Sequence, residues 1–249
     1  MLVRSWNLFH GNTVPPRRHA YLAEMIGLIT ADDPDVVCVQ EVPAWALARF
    51  AVGDVAHRPL LGALAGRALT APNHGVIRSA VAGQGNAIWL APRYRVLAHH
   101  VLTLNPLRFR ARVATELGLD ARVRLHWAKE RRIVQAIRIA GAGREVVVAN
   151  THCTGGMRGI TEAELMRAAW FADSVARPDD VLVLAGDFNL TPDSLIGTEW
   201  GFSPAGPGID HILVRGAPVT ELRVWDEERR RRADGSLLSD HAPVELEIL

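Results

Sequence analysis

Two short apolar runs, Val36-Val37-Cys38-Val39 and Val181-Leu182-Val183-Leu184, do most to limit what this chain can fold into. A continuous, short run dominated by β-branched and aliphatic residues reads as a strand buried on both faces. Each run follows a helical pattern. Leu22, Met25, Ile26 and Ile29 fall at i, i+3, i+4 and i+7, and Leu165, Ala168, Ala169, Ala172 and Val175 continue a second face of the same kind. Leu2 to Leu8 reads as a further strand ahead of the first helix, so the N-terminal segment forms a strand–helix–strand unit.

The remaining segments extend this pattern. Pro15-Pro16 is expected to open the first helix and Asp32-Asp33-Pro34 to stop it. Asn86–Leu90 and Arg95–Leu104 read as strands. Ile133–Ile139 and Glu145–Asn150 read as a hairpin through Gly141-Ala142-Gly143. Thr161 with Glu164 matches a capping box. Ile209–Val214 and Val219–Trp225 read as strands, as does Val244–Leu249, with Glu245 and Glu247 expected to alternate outward. Residues 53–85 read as a long loop with a weak strand, and residues 105–130 show no clear period. Helical crossovers mixed with hairpins suit a four-layer α/β sandwich, two packed mixed β-sheets flanked by helices, formed by residues 1–249 as one domain.

Composition sets outer limits. Apolar residues are 49% and charged residues 22%, an ordinary globular balance. Net charge is +1, so no global field favours nucleic acid or a membrane. Cys38 and Cys153 are too few for a disulfide framework and read as core. No stretch approaches the ~20 apolar residues of a membrane span, and the first residues lack an apolar leader, so the expectation is a cytoplasmic protein without a membrane or an evident protein partner.

The informative polar residues stand where strands stop: Asn7, Glu41, Asn150, His152, Asp187, Asn189, Asp210, Asp240 and His241. One such residue is ordinary turn chemistry. Acids, amides and histidines at the ends of successive buried strands point to a ligand site. The motifs Trp6-Asn7, Gln40-Glu41, Gly85-Asn86-Ala87-Ile88, Asn150-Thr151-His152, Gly186-Asp187-Phe188-Asn189, Ile209-Asp210 and Ser239-Asp240-His241 resemble those of the endonuclease/exonuclease/phosphatase superfamily, in order and spacing, from residue 6 to residue 243. The resemblance implies a DNase I-like sandwich and a divalent-metal-dependent hydrolase of phosphate esters.

It also implies roles. Glu41 is the principal metal ligand, helped by Asn7, with Asp240 facing the metal or its water shell; the hard oxygen donors suit Mg²⁺, with Mn²⁺ as an alternative. Asp187 orients or deprotonates the attacking water. Asn189 donates to the charge developing on phosphorus. His241 contacts phosphate or relays a proton and is held by Asp210. His152 is a phosphate contact or an acid for the leaving group. Asn150 and either Arg131 or Arg132 bind substrate. Two departures stand out: the acid that partners the second histidine in some nucleases is missing from Gly83-Gln84-Gly85-Asn86, and Thr151-His152-Cys153 replaces the tyrosine motif of abasic-site enzymes.

Substrate is addressed only by local charge. Residues 99–139 hold nine basic side chains against three acids, and Arg229–Arg232 form a second basic cluster beside Glu227 and Glu228. Either cluster could hold a polyanion, and either could be a solvated face. Phe109 and Trp127, inside the first cluster, read as core. Three readings follow: a nuclease on DNA or RNA, a phosphatase or phosphodiesterase for a small metabolite or lipid head group, and a non-catalytic binding protein on the same scaffold. The retained acids and histidines weigh against the last.

Overall fold

A computed structural model describes residues 1–17, 21–58, 82–140, 145–191, 200–203 and 206–249. In chain order the strands are β1 (Leu2–Asn7), β2 (Thr13–Val14), β3 (Val36–Val42), β4 (Val52–His57), β5 (Gln84–Leu90), β6 (Arg95–Thr103), β7 (Ile133–Ala140), β8 (Glu145–His152), β9 (Val181–Asp187), β10 (Asp210–Arg215), β11 (Arg223–Val224), β12 (Leu237–Leu238) and β13 (Val244–Glu247). The helices are α1 (Leu22–Ile29), α2 (Leu107–Glu116), α3 (Ala121–Ala128) and α4 (Arg158–Val175).

One sheet runs β11-β13-β1-β3-β5-β4 and the other β10-β9-β8-β7-β6; β2 and β12 form a separate pair. Among the described strands, only β1–β3 and β8–β9 are parallel, each pair joined through a helix, α1 or α4. The double-sided burial read from the apolar runs explains the layering. Val36 and Cys38 point inward with Val3 and Ile88, against Ile137, Val148, Val183 and Ile212 of the second sheet. Val37 and Val39 point outward against Leu22, Met25 and Ile29 of α1. Leu182 and Leu184 likewise meet Leu165, Ala168 and Ala172 of α4. The result is the expected four-layer α/β sandwich. No helix among the described residues is long and apolar enough to cross a membrane.

Several expectations change. The first helix starts at Leu22 rather than at Pro15-Pro16, because Thr13 and Val14 pair with Leu238 and Leu237 and hold the chain extended there. Residues 52–57 form a strand on β5 with a register shift between Val55 and His57, and the glycine hairpin at 141–143 lies outside the described residues. Residues 105–130 contain two helices; Asp120 caps α3 by accepting the Val123 N–H at 2.9 Å. Thr161 and Glu164 form no capping box, since α4 already begins at Arg158. The Thr161 hydroxyl donates to the Met157 carbonyl, and buried Glu164 accepts from Thr154 and Trp127. Of Val219–Trp225 only Arg223 and Val224 are strand, with Val219 in an isolated bridge. Glu245 alternates away from the inter-sheet core, as expected, with Val244 and Leu246 on the core side, but it is buried there, 3.0 Å from buried Arg4 and 3.0 Å from Arg223.

Asp35 ties the entry of β3 to β1. Its carboxylate accepts the Leu2 N–H and the Tyr94 hydroxyl, both at 2.6 Å, and the Arg93 guanidinium at 2.7 Å. Burial works to raise its pKa, but the hydrogen bonds from Tyr94, Leu2 and Arg93 outweigh burial and hold it below the ordinary carboxylate value. A depressed folded pKa means stability that is fully present above the unfolded pKa and lost as pH falls through the folded one. Asp35→Ala should therefore cost roughly 2–3 kcal/mol in urea unfolding at pH 7. That gap should narrow below about pH 4, the unfolded carboxylate value; a pH-independent gap would remove the charge from the explanation. Gly186 marks the closest approach of β8 and β9. Its φ is +140°, and a Cβ there would overlap the Thr151 carbonyl. Gly186→Ala should destabilise by about 2–4 kcal/mol, read as a lower melting temperature.

Candidate active site

The carboxyl ends of the two parallel pairs meet at one place. Asn7 ends β1 beside Gln40 of β3, and His152 ends β8 beside Asp187 of β9. Asp210, the first residue of β10, lies directly opposite Asp187. Across the sheets, the Asn7 amide donates to Asp187 Oδ2 at 2.9 Å and to Glu41 Oε1 at 3.4 Å, so two carboxylates converge on one amide.

Glu41 reaches this position through an irregularity. The β3–β5 register slips between Val39 and Val42, a bulge that turns the following side chain toward the site, and Glu41 itself sits at φ 51°. Phe9, His10, Asn189 and Ser239 also have positive φ, at 47°, 56°, 55° and 62°. Such backbone costs about 1–3 kcal/mol per residue and persists where surrounding contacts overdetermine it. Those contacts are present. The Asn7 carbonyl oxygen of the side chain accepts the Phe9 N–H at 3.0 Å. The Ser239 hydroxyl donates to the Asn7 backbone carbonyl at 2.6 Å and accepts the His241 N–H at 3.1 Å. The Trp6 indole N–H donates to the His241 carbonyl at 2.9 Å. Trp6 and Ser239 thus hold the frame into which Asn7 and His241 project.

His241 Nδ1 lies 2.7 Å from Asp210 Oδ2, and its Nε2 faces Asp187 Oδ2 at 3.8 Å. Burial works against its charge, but the Asp210 hydrogen bond, then the Asp210, Asp187 and Asp240 charges, carry its pKa up to about 9. His152 is the opposite case. Its Nε2 is 3.4 Å from Asp187 Oδ2, and the Arg132 Nη1 lies 3.0 Å from its Nδ1. Burial, then the Arg132 cation and the charges of His241 and His10, hold it neutral. Asp187 is almost fully buried; burial first and the opposed Asp210 second push its pKa up to about 7. Two acids facing each other across neighbouring strands repel, an arrangement a packed sheet ordinarily avoids.

The chain's own donors fit a divalent cation. Asp187, Asp210 and His241 offer ligand atoms within 4.8 Å of one another, and Glu41 joins Asp187 on the Asn7 amide. Oxygen-rich donors with excess negative charge suit Mg²⁺ or Mn²⁺. The compact cluster is therefore Asp187, Asp210 and His241, in which His241 is engaged with Asp210 and the two carboxylates are the cation donors; the expected ligands Glu41, Asn7 and Asp240 flank it. Asp240 is the most exposed of these acids, 4.0 Å from His241 Nε2.

Other expected residues sort cleanly. Asn189 donates through Nδ2 to the Cys153 carbonyl at 2.9 Å, while its backbone N–H donates to Asp187 Oδ1. Of the two arginines, Arg132 faces the site, between His152 and Glu130; Arg131 is exposed and donates to the Thr103 hydroxyl. Asn150, expected at the substrate, points between the sheets. It is fully buried, accepts from Gln40 at 2.8 Å and donates to the Val39 and Ala87 carbonyls, which leaves it joining the two sheets beneath the site. His10 escaped the sequence reading. It is buried with Nε2 3.5 Å from Glu41 Oε2, and its signal was a histidine three residues past Asn7 and followed by glycine. Both thiols are buried, Cys153 directly under the site, and burial pushes both pKa values up and away from reactivity.

Comparison with known proteins gives the same frame. A functionally unknown conserved protein from Enterococcus faecalis V583 superposes with a TM-score of 0.65 at 17% identity, over 100% of this chain and 99% of that one. TDP2 from Caenorhabditis elegans gives 0.62 at 16%, over 100% and 74%. TDP2 from D. rerio, complexed with single strand DNA product, gives 0.57 at 15%, over 99% and 98%. At these identities the likeness is one of fold. No curated protein matches in sequence. The family model described as Endonuclease/Exonuclease/phosphatase family matches residues 5–241, and the chain belongs to that family of phosphate-ester hydrolases.

Proposed function

We propose that this protein is a divalent-metal-dependent nuclease that hydrolyses phosphodiester bonds of DNA or RNA by attack of water. The observation that carries the reading is the convergence of Asp187, the His241–Asp210 pair and Glu41 on one point at the strand ends. Phosphodiester hydrolysis needs an in-line water, neutralised charge and a proton for the leaving oxygen. Glu41 and Asp240, with Asn7, would hold Mg²⁺ or Mn²⁺, which would supply charge neutralisation on the phosphate when bound.

The side chains divide the remaining work. Asp187 orients the water and takes its proton as the new P–O bond forms. Charged His241, steadied by Asp210, contacts the phosphate and returns a proton to the oxygen released as the old P–O bond breaks. Asn189 has a second amide hydrogen beyond the one given to Cys153, available to a phosphate oxygen. Neutral His152 suits a phosphate contact; burial and Arg132 deny it the proton that an acid for the leaving group needs. Arg132 brings a fork suited to phosphate oxygens.

The two basic clusters, similar in sequence, support nucleic acid unequally. The second is consumed internally. Arg229 pairs with Asp32 and covers Trp225, and buried Arg230 donates to the Leu238 and Ser239 carbonyls. Arg231 pairs with Glu227 and Glu228, and Arg232 with Glu24 and Asp234. In the first, Arg112, Arg132 and Arg138 are ion-paired, but Arg108, Arg110, Arg122, Arg124, Lys129 and Arg131 have no acidic partner among the described residues. The single strand DNA product in D. rerio TDP2 is consistent with a strand-binding family member of this fold.

The test is a panel of plasmid, single-stranded DNA, RNA, a generic phosphodiester and a phosphomonoester, each with Mg²⁺, Mn²⁺ or chelator. Polynucleotide cleavage abolished by chelator is expected. Turnover of small esters alone would move the protein to the phosphatase reading. Asp187→Asn and His241→Gln should each lower kcat by about 10²–10⁴-fold at unchanged fold. Asp210→Asn should act in the same direction and more weakly, because it removes only the support of His241. Retention of full activity in Asp187→Asn would overturn the site assignment.

A further inference from the structure

The first basic cluster is more ordered than a solvated face. α3 and its C-cap Lys129 present Arg122, Leu125, His126 and Lys129, all exposed, at i, i+3, i+4 and i+7. They form one stripe about 10 Å long at 1.5 Å per residue. Leu125 is 74% exposed in the middle of it, with cations on either side. Neither Arg122 nor Lys129 has an acidic partner among the described residues, and the nearby acids are engaged elsewhere: Glu116 with Arg112, Asp120 in the α3 cap, Glu130 with Arg132 and Gln84.

The opposite face of α3 fixes this stripe relative to the chemistry. Trp127 is buried, and its indole N–H donates to Glu164 Oε1 at 2.6 Å. The same buried carboxyl accepts the Thr154 N–H at 2.7 Å and the Thr154 hydroxyl at 3.0 Å. Thr154 lies two residues past His152, so a hydrogen-bonded clamp sets α3 against the strand that carries a site histidine. Between the two lies a cavity of about 130 Å³, lined by His126, Trp127, Lys129, Glu130, Arg132 and Thr154. Arg132 borders the cavity on one side and touches His152 on the other. Basic side chains thus lead from the catalytic centre, past the Arg132–Glu130 pair in the cavity, onto the exposed face of α3.

We propose that this track seats one nucleic-acid strand on a single side of the scissile phosphate, with a backbone phosphate at the cavity mouth between His126, Lys129 and Arg132, the next along Arg122, and Leu125 against a base or sugar. Charge complementarity commits it to a polyanion, and the lead-in from Arg132 to His152 commits it to the polyanion being cleaved. The one exposed leucine is too little apolar surface for a lipid bilayer. The proposal rests on the nuclease reading.

The experiment measures binding apart from cleavage. A fluorescein-labelled single-stranded 20-mer is titrated with the full chain in chelator, from 50 to 300 mM salt, for the parent, Arg122→Ala/Lys129→Ala, Leu125→Ala and, as a control for the loss of a cation elsewhere, Arg231→Ala. The double variant should lower the slope of log affinity against log salt by about 1.4 and raise Kd about tenfold or more near 0.1 M salt. Leu125→Ala should weaken binding without changing the slope, and Arg231→Ala should change neither. Unchanged melting temperatures verify the folds. A parent that fails to bind the 20-mer, or a double variant that binds with the parent's slope and Kd, overturns the proposal. Hydrolysis of bis-p-nitrophenyl phosphate by the parent with Mn²⁺ is scored separately: turnover there with no strand binding sinks the track and leaves the phosphoesterase chemistry standing.

Discussion

The side-chain amides that cross between the two sheets are the contact on which the rest of the site depends. Gln40 donates to Asn150, Asn150 donates to the backbone of β3 and β5, and Asn7 donates to Asp187. All of these groups are buried, where an unmade hydrogen bond costs about 1–3 kcal/mol. Apolar packing between the sheets is non-directional and tolerates small sliding. The amide network is directional, and sliding by one residue would break every member of it. It therefore sets the register of β1–β3 over β8–β9 and brings four strand ends to one point.

That register is what allows the strained and repulsive features above it. Glu41 in its bulge, Phe9 and His10 with positive φ, and Asp187 opposed to Asp210 would each relax in isolation. Ser239, Trp6 and the Asn7 amide hold them from below. The cost appears as the raised carboxyl pKa of Asp187, while the raised imidazole pKa of His241 is the gain from its pairing with Asp210; together they favour a cation and an anionic ester between them.

Electrostatics outside the site follow the same logic of placement over composition. The chain is nearly neutral and nearly all its basic residues are arginine. Arg4, Arg138 and Arg230 are buried struts on carbonyls or carboxylates. Arg122 and Lys129 stand on the exposed side of a helix whose other side is clamped through Trp127 and Glu164. The α2–α3 segment was illegible in sequence because its apolar residues are few and each helix buries only one or two of them; tertiary packing against α4, rather than a strong helical period, keeps it folded.

By itself the sequence determined the layers and named most of the residues that the fold brings together in the candidate site. Continuous apolar runs can be satisfied only by strands covered on both faces, and the acids, amides and histidines that end them recur at spacings that a single strand order brings together. What it left open was direction and partnership. Glu245 does alternate outward, but it is buried on that outer face instead of solvated, because buried Arg4 supplies its counter-charge. Asn150, expected at the substrate, ties the two sheets beneath the site. Arg132 was separated from Arg131, and His10 was found, only by proximity. Periodicity records which faces are apolar, a local property of the chain. Which polar group meets which depends on residues more than 100 positions apart, such as Gln40 and Asn150, and is decided when the two sheets pack.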